Sequence, residues 1–103
     1  MSRRYDRRLN KEWITRGRVF IALGDEHRQR ILLMFSKGEE LTIKDIADAS
    51  PLSRTAVAHH VRVLRESGVL GAEKRGRSVH LRPNPRVVLD AMRGVTQYIR
   101  HNL

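Results

Sequence analysis

The apolar residues recur at helical spacing as far as Gly68, and this pattern predicts four successive helices. The first helix covers residues 5–23, and Gly24 ends it. Its apolar stripe consists of Leu9, Trp13, Phe20 and Leu23, broadened by Ile14 and Ile21. Asp25 is the predicted N-cap of a second helix, which Gly38 ends. The apolar face of that helix consists of Ile31, Leu32, Met34 and Phe35.

Cap residues mark two further helices. Thr42, followed three residues later by Asp45, resembles a capping box and opens a short third helix that stops before Pro51. Ser53 is the predicted N-cap of the fourth helix, and Gly68 supplies its left-handed end. The buried stripe of the fourth helix consists of Val57, Val61 and Leu64.

After the fourth helix the period of the apolar pattern changes to two, which predicts a β-hairpin over residues 69–82 with Arg75 and Gly76 between its strands. The alternating apolar positions are Leu70, Ala72, Val79 and Leu81. Asn84 and Pro85 then give a cap followed by proline at the first helical position, which opens a last helix. Its apolar residues are Val87, Val88, Ala91, Met92, Val95, Tyr98 and Ile99. They span more than one buried face needs, so we interpret them as core and dimer interface together.

The predicted order is therefore four helices, two strands and one helix, which is a mainly α fold with a small β-hairpin. Two helices joined by a tight turn and followed by a charged hairpin make a winged helix-turn-helix. With 103 residues, we expect a single domain over residues 1–103. A chain this short buries a small share of its surface, so a homodimer is expected.

The charge of the chain predicts a nucleic-acid partner. The net charge is +10 and the sequence pI is about 11.4. Residues 1–20 and residues 51–82 carry +5 each, whereas residues 21–50 carry −2, so the positive charge is not spread evenly along the chain. Aromatic residues make up only 5%, which argues against base-stacking platforms and favours duplex DNA. Residues 1–8 contain four arginines and are predicted to form a flexible basic arm.

The same sequence disfavours several other classes of protein. It contains no cysteine, so disulfides, thiolate metal sites and cysteine nucleophiles are excluded. It contains no Gly-x-Ser-x-Gly, His-Glu-x-x-His or glycine-rich phosphate motif, so we expect neither an enzyme nor a cofactor. No apolar run is long enough to cross a membrane and the N-terminal residues lack a secretory signal. These features predict a cytoplasmic protein without a membrane partner.

The fourth helix is the predicted DNA-reading element, because its apolar stripe holds it on the core and leaves a polar face outward for the major groove. The candidate DNA-binding residues are Ser53, Arg54, Thr55, His59 and Arg62 on this helix, with Lys74, Arg75 and Arg77 at the hairpin tip. Arg54 lies in the first turn, so it is the first candidate to read guanine. Arg62 lies two turns further on and is a candidate phosphate contact.

The run LSRTAVAHHVRVLRESGVL, residues 52–70, resembles the recognition helix of the ArsR-type (ArsR/SmtB) winged helix-turn-helix transcriptional repressors. The resemblance extends over roughly residues 17–100. It implies a homodimer paired through the first and last helices, an inverted-repeat operator in double-stranded DNA, and release by an effector that the sequence does not identify. The candidate interface residues are Leu9, Trp13, Val88, Met92, Val95 and Ile99.

The sequence departs from the family at its metal sites, so we expect no metal. The cysteine pair of the third helix is absent, and of the last-helix site only Asp90 remains, because Met92 stands where a histidine is required. Asp90 and His101 are roughly 16 Å apart along one helix, so only a partner helix would join them. His59 and His60 diverge by about 100° on their helix and cannot chelate one ion together. His60 is predicted to pack inward.

One alternative stays open from the sequence. A winged helix can also bind RNA or dock a protein without operator specificity, and a basic surface does not separate these functions from duplex binding. A two-fold dimer with twin helices about one DNA turn apart favours palindromic DNA, whereas a monomer without duplex preference favours the alternatives.

Overall fold

The computed structural model describes Tyr5 and residues 8–103. Its elements are α1 (Lys11–Leu23), α2 (Glu26–Leu33), α3 (Ile43–Asp48), α4 (Arg54–Glu66), β1 (Leu70–Arg75), β2 (Ser78–Pro83) and α5 (Pro85–Asn102). This order confirms the predicted winged helix-turn-helix. Most of the arm predicted over residues 1–8 lies outside the described residues.

Local caps set the ends of the two central helices as the sequence predicts. The Thr42 hydroxyl accepts a hydrogen bond from the Asp45 amide at 3.1 Å, and the Asp45 carboxylate accepts one from the Thr42 amide at 2.9 Å. At the start of α4 the Ser53 hydroxyl accepts from the Ala56 amide at 3.1 Å. Beyond α4, Gly68 has a φ of 84°, the left-handed conformation that suits glycine.

Other predicted boundaries are corrected. α1 begins at Lys11 rather than near Tyr5, because Asn10 is its N-cap and accepts from the Trp13 amide at 3.0 Å. Leu9 therefore precedes the helix. α2 ends at Leu33, so Gly38 lies in the following loop.

The start of α5 also differs from its predicted form. Asn84 precedes the helix but forms no side-chain cap hydrogen bond, so Pro85 in the first turn is the remaining start signal.

All five helices and both strands surround one apolar core. The core residues are Val19, Ala22, Ile31, Ile46, Val57, Val61, Leu64, Val69, Leu70, Leu81 and Ala91. The predicted stripe of α1 is wrong in its centre, since the helix buries Val19 and Ala22 while Ile21 remains 69% exposed. α1 carries apolar residues on more than one face, so their spacing alone does not show which face meets the core.

The hairpin pairs β1 with β2 in antiparallel register and places Arg75 opposite Ser78. Its two-residue turn is therefore Gly76 and Arg77, one residue later than predicted, and Gly76 has a φ of 61°. Leu70 and Leu81 anchor the base of the hairpin in the core, but Ala72 is exposed, contrary to the predicted alternation. The reason is that the outer part of β1 extends beyond the core.

α1 and α5 pack against each other through an aromatic contact. The rings of Trp13 and Tyr98 meet edge to face with centroids 5.2 Å apart, and the Arg16 guanidinium lies 4.8 Å from the Trp13 ring centroid. The radius of gyration is 16.3 Å, compared with about 13 Å for a compact domain of this length. The chain is therefore elongated. None of the described helices is long and apolar enough to cross a membrane.

Candidate nucleic-acid interface

The two faces of α4 differ in burial and charge as the sequence predicts. Val57 and Leu64 are completely buried, which fixes the helix on the core. The predicted DNA-binding residues of the helix, namely Arg54, Thr55, His59 and Arg62, are all exposed on the outward face. This face is convex and accessible, as entry into a major groove requires.

The start of α4 favours an anion. The Ser53 hydroxyl oxygen is occupied by the Ala56 amide, so its hydrogen remains able to donate. The first turn contains no acidic residue, and the helix dipole places partial positive charge at this end.

A cavity of about 390 Å³ lies between α3, the start of α4 and the hairpin turn. Its lining residues are Thr42, Ile43, Lys44, Arg54, Arg77, Ser78 and Val79. Two predicted DNA-binding residues, Arg54 and Arg77, thus meet at one cavity although they are far apart in sequence. Lys44 joins them but is not among the predicted residues, because it stands in the acidic part of the chain.

The three basic residues of the hairpin tip have different surroundings. The Arg75 guanidinium donates to Glu40 at 2.6 and 3.1 Å and to Glu73 at 3.1 Å. These hydrogen bonds hold the pKa of both carboxyl groups below the usual range. The carboxylates therefore stay charged and remain paired with Arg75. Within the described chain Lys74 and Arg77 form no ion pair.

A polar cluster joins the inner side of α4 to α1 and α2. Arg28 donates to the Ala22 and Ile21 carbonyls at 2.9 and 3.1 Å, and its Nη1 lies 3.3 Å from His60 Nδ1. The His60 side chain is only 14% exposed. Burial lowers the pKa of His60, and the Asp25 carboxylate 3.9 Å away opposes that shift. His60 thus packs inward as predicted.

The residues of the predicted dimer interface are exposed or partly buried in the protomer. Met92 and Ile99 on α5 are 53% and 48% exposed, and Leu9 is exposed before α1. The partly buried members are Trp13, Val88 and Val95.

Metal ligands are not assembled in the described residues. They contain no group of three or more histidine, aspartate or glutamate side chains that could hold a metal ion. Asp90 lies 3.7 Å from the Arg93 guanidinium.

Comparison with known proteins places this geometry in a class. A family model described as a helix-turn-helix domain matches residues 23–70. The arsenical resistance operon repressor of Escherichia coli is 38% identical over 67% of this chain and 59% of its own length. The transcriptional repressor SdpR of Bacillus subtilis is 28% identical over 79% of this chain and 89% of its own length.

Solved structures agree in fold. An ArsR-like transcriptional regulator from Rhodococcus superposes with a TM-score of 0.74 at 27% identity, covering 82% of this chain and 79% of that one. The homodimeric winged helix-turn-helix DNA-binding domain Mb0332 of Mycobacterium bovis has a TM-score of 0.67 at 23% identity, covering 100% of this chain and 94% of that one.

The fold and the outward basic helix define a winged helix-turn-helix protein, similar to ArsR-like transcriptional regulators. Within that class, the chain belongs to the ArsR-type family. The chain spans 59% of the length of the Escherichia coli relative.

Proposed function

We propose that the protein is a homodimeric transcriptional repressor that binds an inverted repeat in double-stranded DNA, in the cytoplasm. The observation that carries this proposal is the two-faced α4, which is locked to the core inside and lined with basic and polar side chains outside. The names of two relatives, both repressors, support the direction of regulation.

In this proposal α4 enters the major groove. Thr55, His59 and Arg62 face the DNA along the exposed side of the helix, and Arg54 contacts it from the first turn. The Ser53 hydroxyl donates to a phosphate near the helix start. Lys74 and Arg77 extend the contact to the neighbouring backbone through the hairpin.

The dimer brings two such helices onto one face of the duplex. Its interface consists of α5 with α1 and the residue before α1, at Leu9, Trp13, Val88, Met92, Val95 and Ile99. A two-fold axis through this interface requires an inverted repeat, with half-sites about one helical turn apart. The homodimeric state of the Mycobacterium bovis neighbour supports this arrangement. The single core shared by the seven described elements supports one domain in each protomer.

Selection of bound fragments from the source genome tests the proposal. Enriched fragments are expected to share an inverted repeat, and a repressor's sites overlap promoters. A double variant, His59→Ala with Arg62→Ala, should lose the enrichment while keeping its circular dichroism spectrum. Arg30→Ala on α2 removes an exposed charge away from α4 and serves as the control. Recovery of fragments without a shared motif would contradict the proposal.

A further inference from the structure

We propose that the cavity between α3, α4 and the hairpin turn binds one backbone phosphate of the DNA, held jointly by Lys44, Arg54 and Arg77. The inference rests on the proposed function and specifies which part of the DNA this cavity takes. It adds Lys44 to the interface and gives Arg54 a different role from the guanine contact that the sequence favours.

The lining of the cavity has the chemistry of a phosphate site. Its three charged residues are all cations, and each comes from a different element: Lys44 from α3, Arg54 from α4 and Arg77 from the hairpin turn. Among the residues that the structure describes, no carboxylate lines it. Thr42 and Ser78 add hydroxyl groups, and such hydroxyls together with arginine and lysine supply most contacts to phosphate oxygens. The Thr42 side chain is also a hydrogen-bond partner of the Asp45 amide and carboxylate, so a phosphate would compete with Asp45 for its hydroxyl hydrogen.

The donors of the two arginines are available. Among the described residues neither Arg54 nor Arg77 forms an ion pair or a side-chain hydrogen bond within the protein. The contrast is with Arg75, two residues before Arg77, whose guanidinium is hydrogen-bonded to both Glu40 and Glu73. A guanidinium offers five donors in a planar fork that suits phosphate, so two free forks at one cavity favour an oxyanion.

To bind the phosphate, Lys44 exchanges its ion pair with Asp48 for one with the phosphate. Its Nζ lies 2.6 Å from the Asp48 carboxylate, one helical turn further along α3, and both side chains are exposed. Such a surface pair contributes little to stability, so a phosphate competes with Asp48 at small cost. Asp48 is then a residue that weakens DNA binding by holding Lys44 back.

The cavity also changes the assignment of base reading. Arg54 is the first residue of α4 and lines the cavity between α3 and the hairpin. A side chain that binds a phosphate there contacts the DNA backbone and not the base edges in the major groove. Reading of base edges then falls to Thr55, His59 and Arg62, further along the exposed face. A phosphate held at the helix start fixes the depth and angle at which α4 enters the groove.

Chemical removal of single phosphate charges tests the inference. The full chain is titrated against a series of operator duplexes, taken from the genomic selection, each carrying one neutral methylphosphonate. We expect one position in each half-site at which the modification lowers affinity. Lys44→Ala, Arg54→Ala and Arg77→Ala should each weaken binding to the unmodified duplex, lower the salt slope by about one, and cause no further loss on the duplex modified at that position.

Matched controls separate the site from general charge effects. Arg30 pairs with Glu26 at 2.6 Å in the same i, i+4 arrangement as Lys44 with Asp48, but outside the cavity. Arg30→Ala should therefore keep its full response to the modified duplex. Asp48→Asn should strengthen binding more than Glu26→Gln, and this excess should disappear in a Lys44→Ala background.

Three results would overturn the inference while leaving the proposed function intact. The first is independent, additive losses from the variants and the methylphosphonate. The second is an Arg54→Ala protein that relaxes preference at one base pair instead of weakening all sequences equally. The third is an unchanged affinity for every duplex that carries a single methylphosphonate, which would leave the cavity without a DNA phosphate. Failure to enrich any operator would instead overturn the proposed function.

Discussion

Both carboxylate oxygens of Glu40 accept hydrogen bonds from the Arg75 guanidinium, at 2.6 and 3.1 Å. The two residues are 35 positions apart in sequence, and their contact ties β1 to the loop that precedes α3. Glu73 binds both Arg75 and Arg82 at 3.1 Å, so the hairpin is braced by a small network of charges. Arg75 therefore orients the hairpin and is less available to DNA than its position at the tip suggests.

We predict that Arg75→Ala and Arg77→Ala differ in their effect on salt dependence. Arg77→Ala should lower the slope of log affinity against log salt by about one, because it removes a phosphate contact. Arg75→Ala should change the slope by much less, since its charge is already neutralised by Glu40. Titrations at several salt concentrations measure both slopes, and equal losses would mean that Arg75 leaves Glu40 for a phosphate in the complex.

We predict that acid destabilises the protein through His60. Burial lowers the folded-state pKa of His60 below 6.5, so at pH values below about 6.5 the unfolded chain binds more protons at this site than the folded chain. Its stabilising contribution is fully present above that pH and is lost as pH falls through the folded-state pKa. Thermal unfolding measured from pH 7.5 down to pH 5, about one unit above and one and a half units below the ordinary pKa, should show a falling midpoint.

The groups around His60 make a specific control possible. Among the described residues, Arg28 and the histidines His27 and His59 oppose a positive charge there, and Asp25 favours it. His60→Asn keeps an acceptor for Arg28 and should flatten the pH dependence of the unfolding midpoint. His59→Asn on the exposed face should leave the pH dependence of the unfolding midpoint as steep as in the parent protein. A flat dependence in the His59→Asn variant would contradict the assignment to His60.

We predict that charge on α5 dissociates the dimer. Val95→Asp places an uncompensated carboxylate in the proposed interface, so sedimentation velocity should show a monomer with lost operator binding. Val95 is partly buried, so Ile99→Asp provides a variant whose position is already 48% exposed in the folded protomer. Leu33→Asp, at an exposed position of α2 outside the interface, should remain dimeric. Intact dimers of both α5 variants would contradict the assignment.

We predict that zinc, cadmium and arsenite do not release the protein from DNA. The chain has no cysteine, Met92 replaces the histidine that would follow Asp90, and the described residues contain no cluster of three ligands. Fluorescence anisotropy of a labelled operator, titrated with each metal, measures release. Stoichiometric release at micromolar metal that His101→Ala abolishes would instead reveal a site shared across the dimer.

The features that the sequence predicts well are those encoded by near neighbours. Ser53 and Gly68 bound α4 through contacts within three residues or through a single backbone conformation, so their identity is enough to locate the helix ends. The buried stripe of α4 is equally local in origin. Asn10 acts in the same way, but its cap is overlooked when apolar spacing is extended back toward Tyr5.

The features that the sequence misses depend on contacts between distant segments. Arg75 and Arg77 are both arginines at the hairpin tip, and only the fold places Glu40 against Arg75. Lys44 looks like half of an ordinary helical ion pair until α3, α4 and the hairpin surround one cavity. Likewise the apolar residues of α1 serve two surfaces, and periodicity does not divide them.

The junction after α4 gives the molecule a mechanical property. Gly68 lies where a Cβ would touch both methyl groups of Val87 at 3.5 Å, and the Asn84 amide donates to the Val69 carbonyl at 2.8 Å. The end of α4 and the beginning of α5 are thus in direct contact. In the proposed dimer, a ligand that rotated one α5 against the α5 of the partner subunit would also rotate α4. The two α4 helices would then no longer match the spacing of successive major grooves.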